Sequence, residues 1–227
     1  MKRVFFAVMA GVLMMTPSFA QYYDNDPIGT VYEYEMSNSL IGSFSVIQTL
    51  ESVEGNTLRF KVLSDVPGVQ DKVEMTNSIV MDGQSIIQTN ETAIENIKSS
   101  LGAIGKDGDA ALEGNTGVIP LNGQVGDTFE LSDYTATLNA MGMDVVVSEK
   151  ASKNEIVREE EVTTPAGTFQ CFVVERVSKT QVQAAGVDQT IDTTQHYWVV
   201  PGKGVVKMVQ TAAGQTFTTE LVKITRP

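Results

Sequence analysis

Cysteine and histidine are nearly missing from this sequence: 227 residues contain one of each. A zinc site built on paired histidines, a thiolate cluster and an internal disulfide all need more of these residues than that. Basic residues are also scarce, with 16 Lys and Arg against 28 Asp and Glu, for a formal net charge of −12. A chain this acidic repels phosphate backbones and anionic lipid surfaces, which argues against nucleic-acid binding and electrostatic membrane docking. Aromatic residues make up only 7%, a poor supply for the girdles of a transmembrane barrel. Catalytic signatures are missing too: there is no Gly-x-Ser-x-Gly elbow, no phosphate-binding P-loop and no Ser-x-x-Lys pair. What remains, at 42% hydrophobic and 19% charged, is the composition of an ordinary globular protein.

Residues 1–20 read as a secretory signal peptide. Lys2 and Arg3 form a positive start, Val4 to Met15 is an apolar run, and Ser18 and Ala20 place small residues before a cut. The run is short of the roughly 20 residues a membrane span needs. No cysteine follows the cut, so the expectation is an exported, soluble protein of the periplasm or the outside rather than a lipoprotein. The mature chain would begin at Gln21 and carry 14 basic against 28 acidic side chains, a net charge of −14. Residues 21–227 read as a single β-rich domain, long enough to bury one sizeable core without disulfides.

Alternation with period two runs through that domain. Tyr32, Tyr34 and Met36 face one way and Glu33 and Glu35 the other. Phe44, Val46 and Leu50 follow, then Leu58, Phe60 and Val62 alternate with Arg59 and Lys61. Asp82-Gly83 separates Ile79-Val80-Met81 from Ser85-Ile86-Ile87, a hairpin signal. Met143, Val145 and Val147, and then Phe169, Cys171 and Val173, are further inward rows. Glu54-Gly55-Asn56, Ala166-Gly167, Gly202-Lys203-Gly204 and Ala213-Gly214 mark turns. Strands so closely spaced predict an antiparallel meander. One helix interrupts them, with Asn90 as N-cap, Ala93, Ile94, Ile97 and Leu101 as its apolar face, and Gly102 as its stop. The glycine-studded stretch 102–126 then reads as a long loop, either a lid or a plain connection.

The reactive side chains give little. His196 shares a strand face with Trp198 and Val200, where a structural role is the ordinary one. Cys171 alternates with Phe169 and Val173, which predicts a buried thiol. Asp107-Gly108-Asp109 opens like a calcium loop, but Ala111 and Leu112 stand where a further oxygen ligand and the turn glycine belong. Glu159-Glu160-Glu161 reads as a solvated strand edge. Any two of the 28 acidic residues could converge as a hydrolytic pair, and nothing selects one. No catalytic, cofactor-binding or metal-binding residue is therefore assigned, and no cofactor is expected.

Three blocks occur in order: Val125-Gly126-Asp127-Thr128, Pro165-Ala166-Gly167-Thr168-Phe169-Gln170-Cys171-Phe172, and Trp198-Val199-Val200-Pro201-Gly202-Lys203-Gly204-Val205-Val206-Lys207. With the opening segment Gly29 to Tyr34, they resemble the TapB-like family, secreted bacterial proteins built around a domain of unknown function. The resemblance implies a strongly curved antiparallel sheet, half-barrel or barrel-like, with one helix packed against it, and it carries over no catalytic residue. Three functions stay open. The first is a non-enzymatic module binding a partner or a cell-envelope component. The second is a carrier of an apolar ligand or lipid in a half-barrel cavity. The third is a carboxylate-dependent hydrolase.

Overall fold

Side-chain alternation becomes strand pairing along almost the whole chain. The computed structural model describes residues 22–39, 42–65, 72–103, 108–140, 143–184 and 187–227; the signal-peptide segment lies outside these. The strands are β1 (Val31–Asn38), β2 (Gly42–Glu54), β3 (Thr57–Ser64), β4 (Val73–Met81), β5 (Ser85–Ile87), β6 (Gly108–Asn115) and β7 (Val118–Pro120). They continue as β8 (Asp133–Ala140), β9 (Met143–Thr164), β10 (Gly167–Ala184), β11 (Val187–Val200), β12 (Gly204–Ala212) and β13 (Gln215–Thr225). A helix, α1 (Asn90–Ala103), lies between β5 and β6. All 13 strands form one sheet in the order β6-β8-β9-β10-β11-β12-β13-β1-β2-β3-β4-β5-β7, with no pair joining its ends. Every pair is antiparallel. The expected mainly β architecture, an antiparallel sheet with one helix packed against it, is therefore the observed one, and the sheet is not closed among the described residues.

The turns form where their residues allow. Asp82 joins β4 to β5, its Oδ1 accepting the backbone N–H groups of Gln84 (2.8 Å) and Ser85 (2.7 Å). Ala213 and Gly214 both have positive φ, at 51° and 74°, which is the twist a two-residue hairpin needs between β12 and β13.

Two expectations are corrected. The stretch 102–126 is not one loop, because residues 108–115 form β6 and 118–120 form β7. The segment Gly-Asp-Ala-Ala-Leu-Glu-Gly-Asn has no β-branched or aromatic residue, so its strand is imposed by pairing with β8 along all eight positions. Gly114 is what lets the two strands close: a Cβ there would sit 2.2 Å from the Asp133 carbonyl oxygen. The helix cap also moves by one residue. Thr89 accepts the Thr92 N–H at 3.2 Å through its hydroxyl, while Asn90 donates to the Gly114 carbonyl at 3.1 Å.

Helix α1 docks on β4 and β6, strands near opposite ends of the sheet, and so bridges the gap between them. Its Asn96 behaves toward β4 as a neighbouring strand would. Oδ1 accepts the Ser78 N–H at 2.7 Å and Nδ2 donates to the Ser78 carbonyl at 3.1 Å. Ser99 accepts the Thr76 N–H at 2.6 Å. These bonds satisfy backbone groups that β5, pairing only at Val80 and Met81, leaves open.

The inner face divides into three zones. One apolar cluster draws on β1–β5 and β9–β13, with Tyr32, Tyr34, Leu50, Phe60 and Val62 at most 1% exposed. Burying a large side chain of this kind contributes about 1.5–3 kcal/mol. A second cluster joins Ile97 of α1 to Tyr134, Ala136 and Leu138 of β8, Val145 and Val147 of β9, and Val182 of β10. Between them lies a buried polar belt. Along β10 the inward row runs Phe172, Val174, then Arg176, Ser178, Thr180, then Val182, all of them buried. Ahead of β1, Asp26 accepts the Tyr32 hydroxyl at 2.7 Å and Arg226 Nε, just past β13, at 2.6 Å.

Candidate functional site

The outer face of β9–β12 gathers most of the residues the sequence singles out. Antiparallel register sets Glu160 opposite Cys171, Arg158 opposite Val173, Trp198 opposite Val173 and Lys207 opposite Trp198. Trp198 is thus an indole on the face turned away from Tyr197, yet it is only 9% exposed and packs with Cys171 and Val173 into the large apolar cluster. Charged neighbours cover it: the Arg158 guanidinium lies 5.7 Å and Lys207 Nζ 5.4 Å from the ring centroid. Cations over an indole face are attracted by its quadrupole. Trp198 Nε1 donates to Glu160 Oε1, and Arg158 Nε reaches Glu160 Oε2 at 3.1 Å. Lys207 also pairs with Glu220 at 2.6 Å.

Glu160 is therefore not the free solvated carboxylate its neighbours in the sequence suggest. The hydrogen bonds from Arg158 and Trp198 hold its carboxyl below the ordinary range. A run of three glutamates on β9 looks uniform in sequence; alternation and the Trp198 N–H single out the middle one.

His196 lies beside Trp198, ring centroids 6.3 Å apart. Burial lowers its pKa, with the charge of Glu175 acting in the opposite direction. Glu175, opposite His196 in the register, gives its carboxylate to Lys153 at 2.5 Å rather than to the imidazole. Cys171 is buried at 4% exposure, as expected, but its row is not the inward one. Cys171 and Val173 share the face of Glu160, Arg158 and Trp198, while Phe172 and Val174 point to the other side with Tyr197. Burial, reinforced by the charge of Glu160, pushes its thiol up to about 12, so it stays protonated near neutral pH. Asp109 stands in β6 with Lys98 at 3.9 Å, and Asp107 lies outside the described residues.

The polar belt was not anticipated. Arg176 is 2% and Glu149 also 2% exposed, and Arg176 Nη2 pairs with Glu149 Oε1. The same nitrogen donates to the Thr116 carbonyl at 3.3 Å, and Ser132 donates its hydroxyl to Glu149 Oε1 at 2.6 Å. Burial opposes the guanidinium charge, but Glu149, with Tyr197 and Tyr134 nearby, outweighs it and holds Arg176 above its ordinary value. Tyr134 and Tyr197 are both raised by burial, and the charge of Glu149 adds to this. Four polar atoms of the belt are buried without a hydrogen-bond partner: Arg176 Nε and Nη1, Tyr197 OH and Ser178 Oγ. The signal was available in β10, where Arg176, Ser178 and Thr180 continue the phase of Phe172 and Val174.

Relatives are recognisable by fold more than by sequence. No curated protein matches the chain. A solved structure from Bacteroides fragilis, described as an exported protein with a YmcC-like fold, superposes with a TM-score of 0.57 at 16% identity, covering 92% of this chain and all of that one. A Parabacteroides distasonis structure, described as a lipoprotein, superposes with a TM-score of 0.61 at 15% identity, covering 91% of this chain and all of that one. At such identities the shared property is the fold. The sequence signature reaches further, since the pattern of one family, centred on a domain of unknown function, matches residues 69–215, from β4 and the bridging helix through the belt and the Trp198 array to β13. This chain belongs to the DUF3108-like family.

Proposed function

We propose that this is an exported, non-enzymatic module that binds a partner or a component of the cell envelope through the outer face of β9–β12. The observation carrying this reading is Trp198, held against the outer side of the sheet by Arg158, Lys207 and Glu160. Indole and guanidinium groups are the side chains most enriched among the residues that dominate protein interfaces. The inner face offers the apolar-carrier reading less support, because its large side chains already fill it. Chemistry by the lone thiol or imidazole is disfavoured by the protonated, buried Cys171 and by the use of Glu175, the carboxylate opposite His196, in an ion pair with Lys153. Export is supported by the order of charge, apolar run and small residues in 1–20, by the TapB-like resemblance of the three blocks, and by the description of the structural relatives.

Photocrosslinking in the native host tests the surface. A crosslinker placed at Lys207 should give a discrete adduct, and Arg158→Ala in the same protein should abolish it at unchanged melting temperature. A crosslinker at Asp192, six residues from Trp198 along β11, should give none. Hydrolysis of an ester, glycoside or peptide substrate that disappears in His196→Ala at unchanged melting temperature would falsify the non-enzymatic reading. Intact mass of the exported protein tests cleavage after Ala20, and a chain retaining Met1 to Ala20 would count against export by this route.

A further inference from the structure

The belt presents a surplus of donors with nothing to receive them. Arg176 uses Nη2 on Glu149 and Thr116, which leaves the N–H of Nε and both N–H of Nη1. Tyr197 and Ser178 each add an unpartnered hydroxyl. These residues belong together by register: Ser178 is two residues along β10 from Arg176, and Tyr197 on β11 stands opposite Val174, two residues the other way on the same face. Buried polar groups are hydrogen-bonded in the great majority of cases, so a group of unpartnered donors on one face calls for an explanation.

We infer that the belt is a binding site for an oxyanion, the carboxylate or phosphate group of a small molecule. An acceptor-only group fits a site whose free atoms are three charged N–H donors and two hydroxyls. Glu149 sets the terms of binding. It neutralises Arg176, so the anion is held by directed donors rather than by surplus charge. Thr116 and Ser132, the residues that close over the ion pair, both lie outside the strands. Ser132 is itself tied to β9, accepting the Ala151 N–H at 2.8 Å, a bond that admitting an anion past it would have to break. This site is independent of the outer face of β9–β12, so either reading can fail without the other.

Acetate, octanoate and inorganic phosphate serve as probes in thermal melts and calorimetric titration at constant ionic strength, with chloride as the control. At least one of the three should raise the melting temperature of the wild-type protein saturably. Tyr197→Phe with Ser178→Ala keeps the fold and removes two donors, and should weaken that probe about tenfold or more. Glu149→Gln removes the competing carboxylate and should tighten it by a similar factor. Octanoate binding where acetate fails assigns the anion as the head of an amphiphile, phosphate binding alone assigns a phosphate ligand, and both support the site. No shift of the wild type with any probe overturns it. So does an effect confined to Glu149→Gln, because the belt would then be a closed ion pair. A shift unchanged in the Tyr197/Ser178 variant places the anion elsewhere and overturns it as well.

Discussion

Removing either member of the Arg176–Glu149 pair should destabilise the protein strongly, and the two losses should differ in their pH dependence. Both side chains are about 2% exposed, so each single substitution leaves a charge in the interior without its counter-charge. Such breaks cost about 3–5 kcal/mol. In Glu149→Gln the stranded group is a guanidinium, which cannot release its proton, and the loss should stay flat between pH 4.5 and 7. In Arg176→Met the stranded group is a carboxylate, which can take up a proton instead. Doing so at pH 7 from an ordinary value near 4.3 costs about 3.7 kcal/mol, and each unit of lower pH recovers about 1.4 kcal/mol. The sign follows from linkage. A variant that buries the protonated acid binds one more proton when folded than when unfolded, so its stability falls as pH rises. Relative to wild type at the same pH, Arg176→Met should therefore lose about 4 kcal/mol at pH 7 and about 1 kcal/mol at pH 5. Urea denaturation of both variants at pH 4.5, 5.5 and 7 measures this. Losses below 1 kcal/mol in both, or equal losses for Arg176→Met at pH 5 and 7, would refute the burial argument.

Other substitutions separate size from chemistry. Trp198→Ala should cost about 3–5 kcal/mol, because it removes an indole covered by Arg158 and Lys207, whereas Cys171→Ser and His196→Ala should each stay within about 1–3 kcal/mol; thermal melts rank the three, and Trp198→Ala as the mildest would be inconsistent with a packed ring. Cys171 should resist iodoacetamide in the native protein at pH 8 and react once urea is added, given a thiol pushed up to about 12; rapid native labelling, or a disulfide-linked dimer, would show it to be accessible. His196, lowered by burial, should make the protein lose stability as pH falls from its unfolded value near 6.5 through its lower folded value, and His196→Gln should flatten that slope in denaturation measurements from pH 7.5 to 5; an unchanged slope would point to other groups.

Much of the sheet could be read from alternation because most strands bury one face and wet the other. The hairpins at Asp82-Gly83 and Ala213-Gly214 were legible from turn chemistry alone; the burial of Cys171 was legible too, but not its face, because β10 buries both Cys171 and Phe172. Strand β6 was not, since nothing in Gly108–Asn115 prefers extended backbone; the pairing with β8 and the docking of α1 decide it, and both are tertiary. The cap at Thr89 rather than Asn90 turned on which of two adjacent capping residues faced the helix. Arg176 and Glu149 were hidden because a charged residue on a strand ordinarily marks the wet face, and here two such residues sit on the dry one. The Glu160–Trp198 contact spans 38 residues, beyond the reach of any local pattern.

The amide of Asn96 has a consequence for the behaviour of this protein in crowded solution. A helix cannot join a β-ladder, yet one side chain of α1 reproduces the donor and acceptor of a missing neighbour at Ser78, and Ser99 receives the amide of Thr76 two residues earlier. Strand β4 is in this way kept from templating the growth of another chain. The guard is held by a few side-chain bonds rather than by a ladder, so partial unfolding that releases α1 alone would turn the protein into a seed. Self-association, should it occur under stress, would then start at β4 and carry the helix outward, while the rest of the sheet stays folded.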